Sequence, residues 1–210
     1  MIKPSPSQPL PLACGWWGKL PSRGDFVGRG LPSAGQQTWD KWLQRSLGQA
    51  ARQLGSKRLG ERLRAMPLWH FVVLPRRRGM TWCGAVLASR DRVGRAFPLL
   101  LAEGYASAAL LEADVSALRS RAKRLTQALH GRGEAPEPAD VEAHLAELAS
   151  TPLTGDAGGS TPCRLEQLRA KSPAAASFWW CVEPPSDARY PYAEPWPPQD
   201  ELLYDLLGID

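Results

Sequence analysis

The order of apolar and polar residues divides the first third of the chain into a strand, a loop and two helices. A short Trp-rich run at residues 14–20 predicts a strand, and the glycine-containing segment that follows it predicts a loop. From about residue 34 to residue 54, apolar side chains recur every three or four positions, which indicates an amphipathic helix. A shorter helix is predicted next, with Leu59, Leu63 and Met66 on one face.

The middle of the chain changes to bulky, β-branched and aromatic runs that are typical of strands. Residues 68–74, 80–88 and 97–102 are three predicted strands, and the first two are joined by a turn at residues 75–79. Because each run is apolar on both faces, we expect an antiparallel meander covered by helices on at least one side.

Helical periodicity returns in the last part of the chain. Residues 111–129 predict a helix that ends at Gly131, and a shorter helix is predicted around residues 141–148. Residues 177–183 predict a strand, and residues 200–207 predict a closing helix.

Together these elements favour a single α/β layered domain over residues 14–210. Its sheet should be largely antiparallel (mixed), with about five strands flanked by helices. Residues 1–13 contain several prolines and show no periodicity, so we expect a flexible tail there.

Composition excludes several classes of protein. The chain has 210 residues, of which 43% are hydrophobic and 22% charged, as in ordinary globular domains rather than disordered or fibrous chains. No apolar run approaches the ~18 residues that a membrane span needs, so we expect no membrane insertion. The proline-containing start also lacks the apolar core of a signal peptide, and we therefore expect a cytoplasmic protein.

The net charge of +5 could suggest nucleic-acid binding, but its distribution does not. The excess of 26 basic over 21 acidic residues is small, and the two kinds are interspersed. Residues 76–78 are all Arg and fall in a predicted turn, while the basic residues of 119–124 alternate with apolar ones and indicate a solvated helix face. Nucleic acid is therefore not an expected partner.

The residue patterns of the common catalytic, cofactor and metal sites are absent from the sequence. The four cysteines form no C-x-x-C pair, and no P-loop, complete dinucleotide fingerprint or G-x-S-x-G elbow occurs. His70 falls inside a predicted strand, His130 at a helix end and His144 on a helix between acidic residues. We expect no catalytic residue, no cofactor and no metal.

One spacing resembles that of cysteine phosphatases. Cys163 and Arg169 are six positions apart, which in those enzymes places the nucleophile and the phosphate-binding Arg around one loop. Such a loop needs glycines so that its N–H groups point inward. The interior here is helix-forming and contains Glu166, so coincidence is the preferred interpretation.

Two polar segments between apolar elements are the candidate functional sites. They consist of Gly18, Lys19, Pro21, Ser22, Arg23, Gly24, Asp25 and Phe26 in the first, and Asp91, Arg92, Gly94 and Arg95 in the second. A structural interpretation pairs Asp25 or Asp91 with arginines of the two segments to fix the loops. A functional interpretation makes the segments a docking surface for another protein, with Arg as its anchor. The two interpretations are compatible.

The same segments carry a family resemblance. The relevant motifs are G-W-W-G-K-L-P-S-R-G-D-F-V at 15–27, W-D-x-W at 39–42, P-L-W-x-F at 67–71, W-x-G-x-V at 82–86, S-x-D-R-V-G-R-x-F-P-L at 89–99 and S-F-W-W at 177–180. In this order they resemble the TagF (ImpM) family of type VI secretion accessory proteins. The resemblance is dense over residues 14–103, thin over 104–176, and returns at 177–207.

The resemblance implies a fold and a function. It implies an α/β layered domain and a cytoplasmic, non-enzymatic regulator that represses type VI secretion after translation. It also implies binding to the forkhead-associated scaffold protein of that system, beside a pathway that includes a phosphatase. Two alternatives are a structural subunit of the secretion apparatus and a hydrolase acting on phosphoprotein.

Overall fold

The computed structural model describes residues 9–75, 79–111, 113–129, 135–154, 164–181 and 191–209. The strands are β1 (Ala13–Lys19), β2 (Phe26–Arg29), β3 (Trp69–Val73), β4 (Met80–Arg90), β5 (Ala96–Ala106), β6 (Ser177–Cys181) and β7 (Tyr192–Glu194). The α-helices are α1 (Ser33–Leu54), α2 (Ser56–Ala65), α3 (Ser107–Leu111), α4 (Val115–Thr126), α5 (Pro138–Ala149), α6 (Leu165–Lys171) and α7 (Glu201–Leu207), and a 3₁₀ turn (Gln127–Leu129) follows α4.

The strands form one antiparallel sheet in the order β2-β1-β5-β4-β3-β6-β7. The β3–β4–β5 meander expected from the apolar runs is confirmed, with Phe71 opposite Gly84 and Gly84 opposite Ala102. Within the described part of the chain the sheet has seven strands rather than about five. The two additional strands, β2 and β7, are the short edges of the sheet.

Helices cover both faces of the sheet. On one face, Trp42 of α1, Leu63 of α2 and Leu203 of α7 pack in one core with strand residues such as Phe71. On the other face, α4 and α6 pack against β3, β4 and β6, and α5 packs against β1. The expected α/β layers are therefore present, and each face of the sheet has its own apolar core.

Tryptophan dominates the first of these cores. The ring of Trp39 lies 5.0 Å from Phe71, 5.6 Å from Trp179 and 4.9 Å from Trp196, measured between centroids, and the rings meet at steep angles. Such edge-to-face contacts add to the free energy gained by burying the rings. Residues from both ends of the chain therefore meet in this layer.

Several boundaries differ from those expected. The first strand begins at Ala13, and the amide of Leu12 already donates to Gly104. The helix expected over residues 111–129 begins later, as α4, and ends in the 3₁₀ turn. It begins there because Asp114 caps it by accepting a hydrogen bond from the amide of Ser116, whereas Leu111 is the last residue of α3. Residues 76–78 of the expected turn at 75–79, and the expected helix end at Gly131, lie outside the described residues.

The chain that follows β2 passes very close to the backbone of β1. A Cβ on Gly15 would lie 2.4 Å from the amide nitrogen of Leu31, and Gly30 has a φ of +78°. Only glycine tolerates both the contact and the backbone angle, so these positions fix the path of the chain from the first loop into α1.

None of the described helices is long and apolar enough to cross a bilayer.

Candidate functional site

The fold brings the two polar segments together at one end of the sheet. The first segment leaves β1 at Lys19, and the second is the hairpin turn between β4 and β5. The amide of Arg92 donates to the carbonyl of Arg23 over 2.7 Å. The hydroxyl of Ser89 donates to the carbonyl of Lys19 over 2.6 Å. The two loops therefore form one structural unit.

Asp91 is the centre of this unit. Its side chain is fully buried, and its Oδ2 accepts from Nζ of Lys19 at 2.9 Å and from Nε of Arg95 at 2.6 Å. Its Oδ1 accepts from the amides of Val93 and Arg95 at 3.1 and 2.9 Å. Two cations and two amides thus satisfy both carboxylate oxygens, and one side chain fixes both loops.

The electrostatics of Asp91 follow from these contacts. Burial opposes ionisation of the carboxyl group. The hydrogen bonds from Lys19, and from the backbone and side chain of Arg95, outweigh that effect and hold the pKa of Asp91 well below its usual value. Asp91 is therefore an anion in the folded protein at neutral pH.

Further bonds attach the first loop to the rest of the domain. Nη2 of Arg95 donates to the carbonyl of Gly24 at 2.9 Å, and the hydroxyl of Ser22 donates to the carbonyl of Pro136 at 2.8 Å. Arg23 forms an exposed ion pair of 2.7 Å with Glu137, at the start of α5. The first loop is therefore held from two sides.

The structure supports the structural interpretation of the segments and corrects its pairings. Arg95 does pair with Asp91, but the second cation is Lys19, which the sequence had not indicated. The carboxylate of Asp25 accepts from the amide of Phe26, and no described arginine forms an ion pair with it. Arg23 pairs with a glutamate of another element instead of an aspartate in the two loops.

The remaining residues of the two segments have identifiable places. Gly94 has a φ of +86° in the tight turn after Asp91, where a side chain would be strained. A Cβ on Gly18 would lie 2.7 Å from the carbonyl oxygen of Pro98, so this glycine allows β1 and β5 to approach closely. Pro21 forms part of the wall of a neighbouring cavity.

Above this buried network lies an exposed surface of mixed character. Phe26 is 41% exposed and Val93 is 69% exposed. The ring of Phe26 stacks on Trp17 at 5.3 Å and meets Phe97 edge-on at 4.7 Å, so it is held rigidly. We call Phe26, Val93 and the exposed arginines Arg23, Arg92 and Arg95 the signature surface.

A second buried ion pair, which the sequence did not reveal, lies beneath the sheet. Arg121 of α4 grips Glu103 of β5 through Nε and Nη2, each 2.7 Å from a carboxylate oxygen. The hydroxyl of Tyr105 donates to the same carboxylate, and Nη1 of Arg121 donates to Thr151. The basic stretch of 119–124 is therefore not simply a solvated face, since Arg121 is 2% exposed.

Two thiols lie beside this pair. Cys14 and Cys83 are the strand neighbours of Glu103 on either side. Burial, together with the charge of Glu103, raises the pKa of Cys14 to about 11 and that of Cys83 well above its usual value. Both thiols are therefore protonated at neutral pH, the form that is a poor nucleophile.

The remaining residues considered for chemistry have structural environments. His70 is buried in β3, and burial lowers its pKa to about 3, helped by Arg119 and Lys123. His144 contacts the carbonyl of Arg124, while His130 and Cys163 lie outside the described residues. In the described part of the chain, no cluster of His, Cys, Asp and Glu could hold a metal ion.

Over the described residues, the fold and this site define an α/β protein with a helix-covered antiparallel sheet and two loops fixed by a buried aspartate. Residues 15–149 match the family described as the TagF N-terminal domain, type VI secretion system-associated, and the chain belongs to this family. The protein is thus associated with type VI secretion, and its family is not a known enzyme family.

A solved structure supports the fold. The crystal structure of PA0076 from Pseudomonas aeruginosa PAO1 is 29% identical in sequence and superposes with a TM-score of 0.57. The match covers 80% of this chain and 81% of that one. A search of curated proteins found no match.

Proposed function

We propose that this protein is a non-enzymatic repressor of type VI secretion that acts after translation, in the cytoplasm, by binding a protein partner. Its membership in a type VI secretion family supports the setting of this proposal. The observation that carries the binding role is the signature surface, where a rigid aromatic ring and an exposed valine lie among three arginines.

This surface has the composition of a binding site. Aromatic residues, including Phe, and Arg are enriched at protein interfaces relative to the rest of the surface. The ring of Phe26 loses little entropy on binding, because Trp17 and Phe97 already hold it in place. The buried Asp91 network fixes the backbone beneath it, so the surface is organised before a partner arrives.

The partner we propose is the forkhead-associated scaffold protein of the secretion system, with the pathway's phosphatase as a second candidate. An affinity in the micromolar range or better requires about −8 kcal/mol, which an interface of standard size supplies. Occupation of the scaffold would keep the secretion machinery from assembling.

The helical geometry around Arg169 argues against the alternative that this chain is itself a hydrolase acting on phosphoprotein. The amides of Gln167 and Leu168 donate to the carbonyl of Arg164, as in the first turn of a helix. These amides therefore do not point into a shared phosphate site.

Measuring effector secretion tests the repressor role. Deleting the gene should raise secretion, and the wild-type chain should restore repression. Val93→Asp should fail to restore it, because the change places a charge on the signature surface. Leu12→Asp is the matched control, since Leu12 is 67% exposed but lies away from that surface.

A pull-down with the same variants identifies the partner. The scaffold protein should be retained by the wild type and by Leu12→Asp, and lost with Val93→Asp. Unchanged secretion after gene deletion would contradict repression. Stoichiometric recovery with the assembled apparatus would instead indicate a structural subunit.

A further inference from the structure

A cavity of about 320 Å³ lies beside the signature surface, at the end of β4. Buried leucines form its base: Leu20 after β1, Leu87 of β4 and Leu99 of β5, the last two being direct neighbours across the sheet. Two exposed arginines, Arg64 of α2 and Arg90 of β4, stand at its rim. We call this cavity the arginine pocket.

The two rim arginines differ from those surface arginines that form ion pairs within the chain. Arg23, Arg29 and Arg45 each pair with a carboxylate of this chain. No ion pair joins Arg64 or Arg90 to an acidic side chain within the described ranges. The guanidinium of Arg64 lies against Gly60 of its own helix, where a Cβ would be 3.3 Å from Nη1.

An apolar base beneath two unpaired cations matches one kind of ligand. The size of the cavity falls within the range of about 300–1,000 Å³ that binding pockets occupy. An aliphatic or aromatic side chain fits the leucine base, and a carboxylate complements the guanidinium groups, which bind carboxylates in a bidentate manner.

The pocket is continuous with the signature surface. Its lining residues Leu20 and Pro21 belong to the first loop, and Ser89 and Arg90 lie immediately before Asp91. These residues place the pocket next to the two loops that carry Phe26 and Val93.

We propose that the arginine pocket binds a short acidic segment of the partner protein, with an apolar side chain on the leucines and a neighbouring Asp or Glu between Arg64 and Arg90. This inference rests on the proposed function, because it names the chemistry that the partner presents to this chain. The carboxylate supplies specificity, and the apolar side chain supplies most of the buried area.

Peptide binding tests the pocket directly. An array of overlapping 12-residue peptides, covering the type VI secretion proteins of the bacterium that encodes this chain, is probed with the full-length protein. Retained peptides should contain a carboxylate next to an apolar residue. For the tightest peptide, changing that Asp or Glu to Asn or Gln should weaken binding at least tenfold.

Charge-reversal variants locate the site. The double variant Arg64→Glu, Arg90→Glu should also lower the affinity at least tenfold. The double variant Arg52→Glu, Arg58→Glu is the matched control, because both arginines are exposed and neither lines the pocket. It should change the affinity less than twofold. Methyl NMR should show the peptide shifting signals of Leu20, Leu87 and Leu99 in the wild type.

Several results would overturn the inference. One is a peptide array that retains no peptide with a carboxylate next to an apolar residue. Another is an equal loss of peptide affinity in the two double variants. A third is the absence of any shift in the methyl signals of the three leucines when the peptide is added. A small amphipathic carboxylate that co-purifies with the protein, seen by native mass spectrometry, would assign the pocket to a free ligand instead. The secretion assay is separate: repression that survives Arg64→Glu, Arg90→Glu would refute the pocket and leave the repressor role intact.

Discussion

The two buried carboxylates of this domain, Asp91 and Glu103, are held in different ways. Glu103 lies in the middle of β5 and forms an ion pair with Arg121 of α4. The side chain of Arg121 is almost fully buried. Asp91 lies in a turn, and one of its two cations, Arg95, is 64% exposed. One network is sealed within the layers of the fold, and the other reaches the surface.

The difference separates support of the fold from organisation of a surface. The Glu103 network joins β5, α4 and the end of α5, whose packing closes one face of the sheet. The Asp91 network joins two loops that carry the exposed Phe26 and Val93. We therefore expect substitutions in the Glu103 network to lower global stability, and substitutions in the Asp91 network to weaken mainly the binding of a partner.

The largest expected effect is that of Arg121→Met. The change leaves Glu103 buried without its cation, which typically costs about 3–5 kcal/mol. Urea unfolding followed by tryptophan fluorescence measures the loss. Arg119→Met, at an exposed position of the same helix, is the control and should change stability by less than about 0.5 kcal/mol. Equal effects at both positions would remove the distinction between the networks.

Asp91→Asn should have a smaller effect on unfolding and a large one on binding. The amide side chain cannot satisfy two cations, so the loops should lose their fixed arrangement while the sheet persists. We expect the variant to lose capture of the partner while its unfolding midpoint in urea shifts less than that of Arg121→Met. A midpoint shift as large as that of Arg121→Met would contradict the comparison.

The same variant has a defined pH signature. Because the folded pKa of Asp91 is held below its usual value of 3.8, its ionisation stabilises the fold above that pH, and the contribution is lost as the pH falls further. The difference in stability between the wild type and Asp91→Asn should therefore shrink below about pH 4. A constant difference through this range would show that the charge of Asp91 is unimportant.

The smallest effect concerns a buried titratable group with no counterion, His70. Neither ring nitrogen has a hydrogen-bond partner among the described residues. His70→Leu should therefore stabilise the fold by about 1 kcal/mol at neutral pH. The folded pKa of about 3 lies below the usual 6.5, so His70 lowers stability as the pH falls between these values. Urea unfolding at pH 7 and pH 5 should show a smaller acid loss for the variant.

The sequence predicted the central strands and helices because their apolar patterns are long. The strands of the meander and the long helix α1 each carry enough regularly spaced apolar residues to be recognised. β2 and β7 were missed because they have four and three residues, alternate poorly and lie at the edges of the sheet. Tertiary pairing defines them, and a local pattern does not.

The candidate site was predicted in part for a similar reason. Segments rich in Gly, Asp and Arg marked the two loops, and the pairing of Asp91 with Arg95 is local, only four positions apart. The bond from Lys19 to Asp91 spans 72 positions, and that from Arg121 to Glu103 crosses from a helix to a strand. Sequence spacing predicts neither contact. A lone Arg on an amphipathic helix, such as Arg121, usually faces water.

The Trp-rich core has a consequence for the chain during its synthesis, because its residues are far apart in the sequence. Trp39 and Trp42 emerge from the ribosome more than 130 residues before Trp179 and the leucines of α7, which pack against them in the finished protein. At translation rates of about 5–20 residues per second, this apolar face waits seconds for its cover. We therefore expect the nascent chain to expose this apolar surface until α7 has been synthesised.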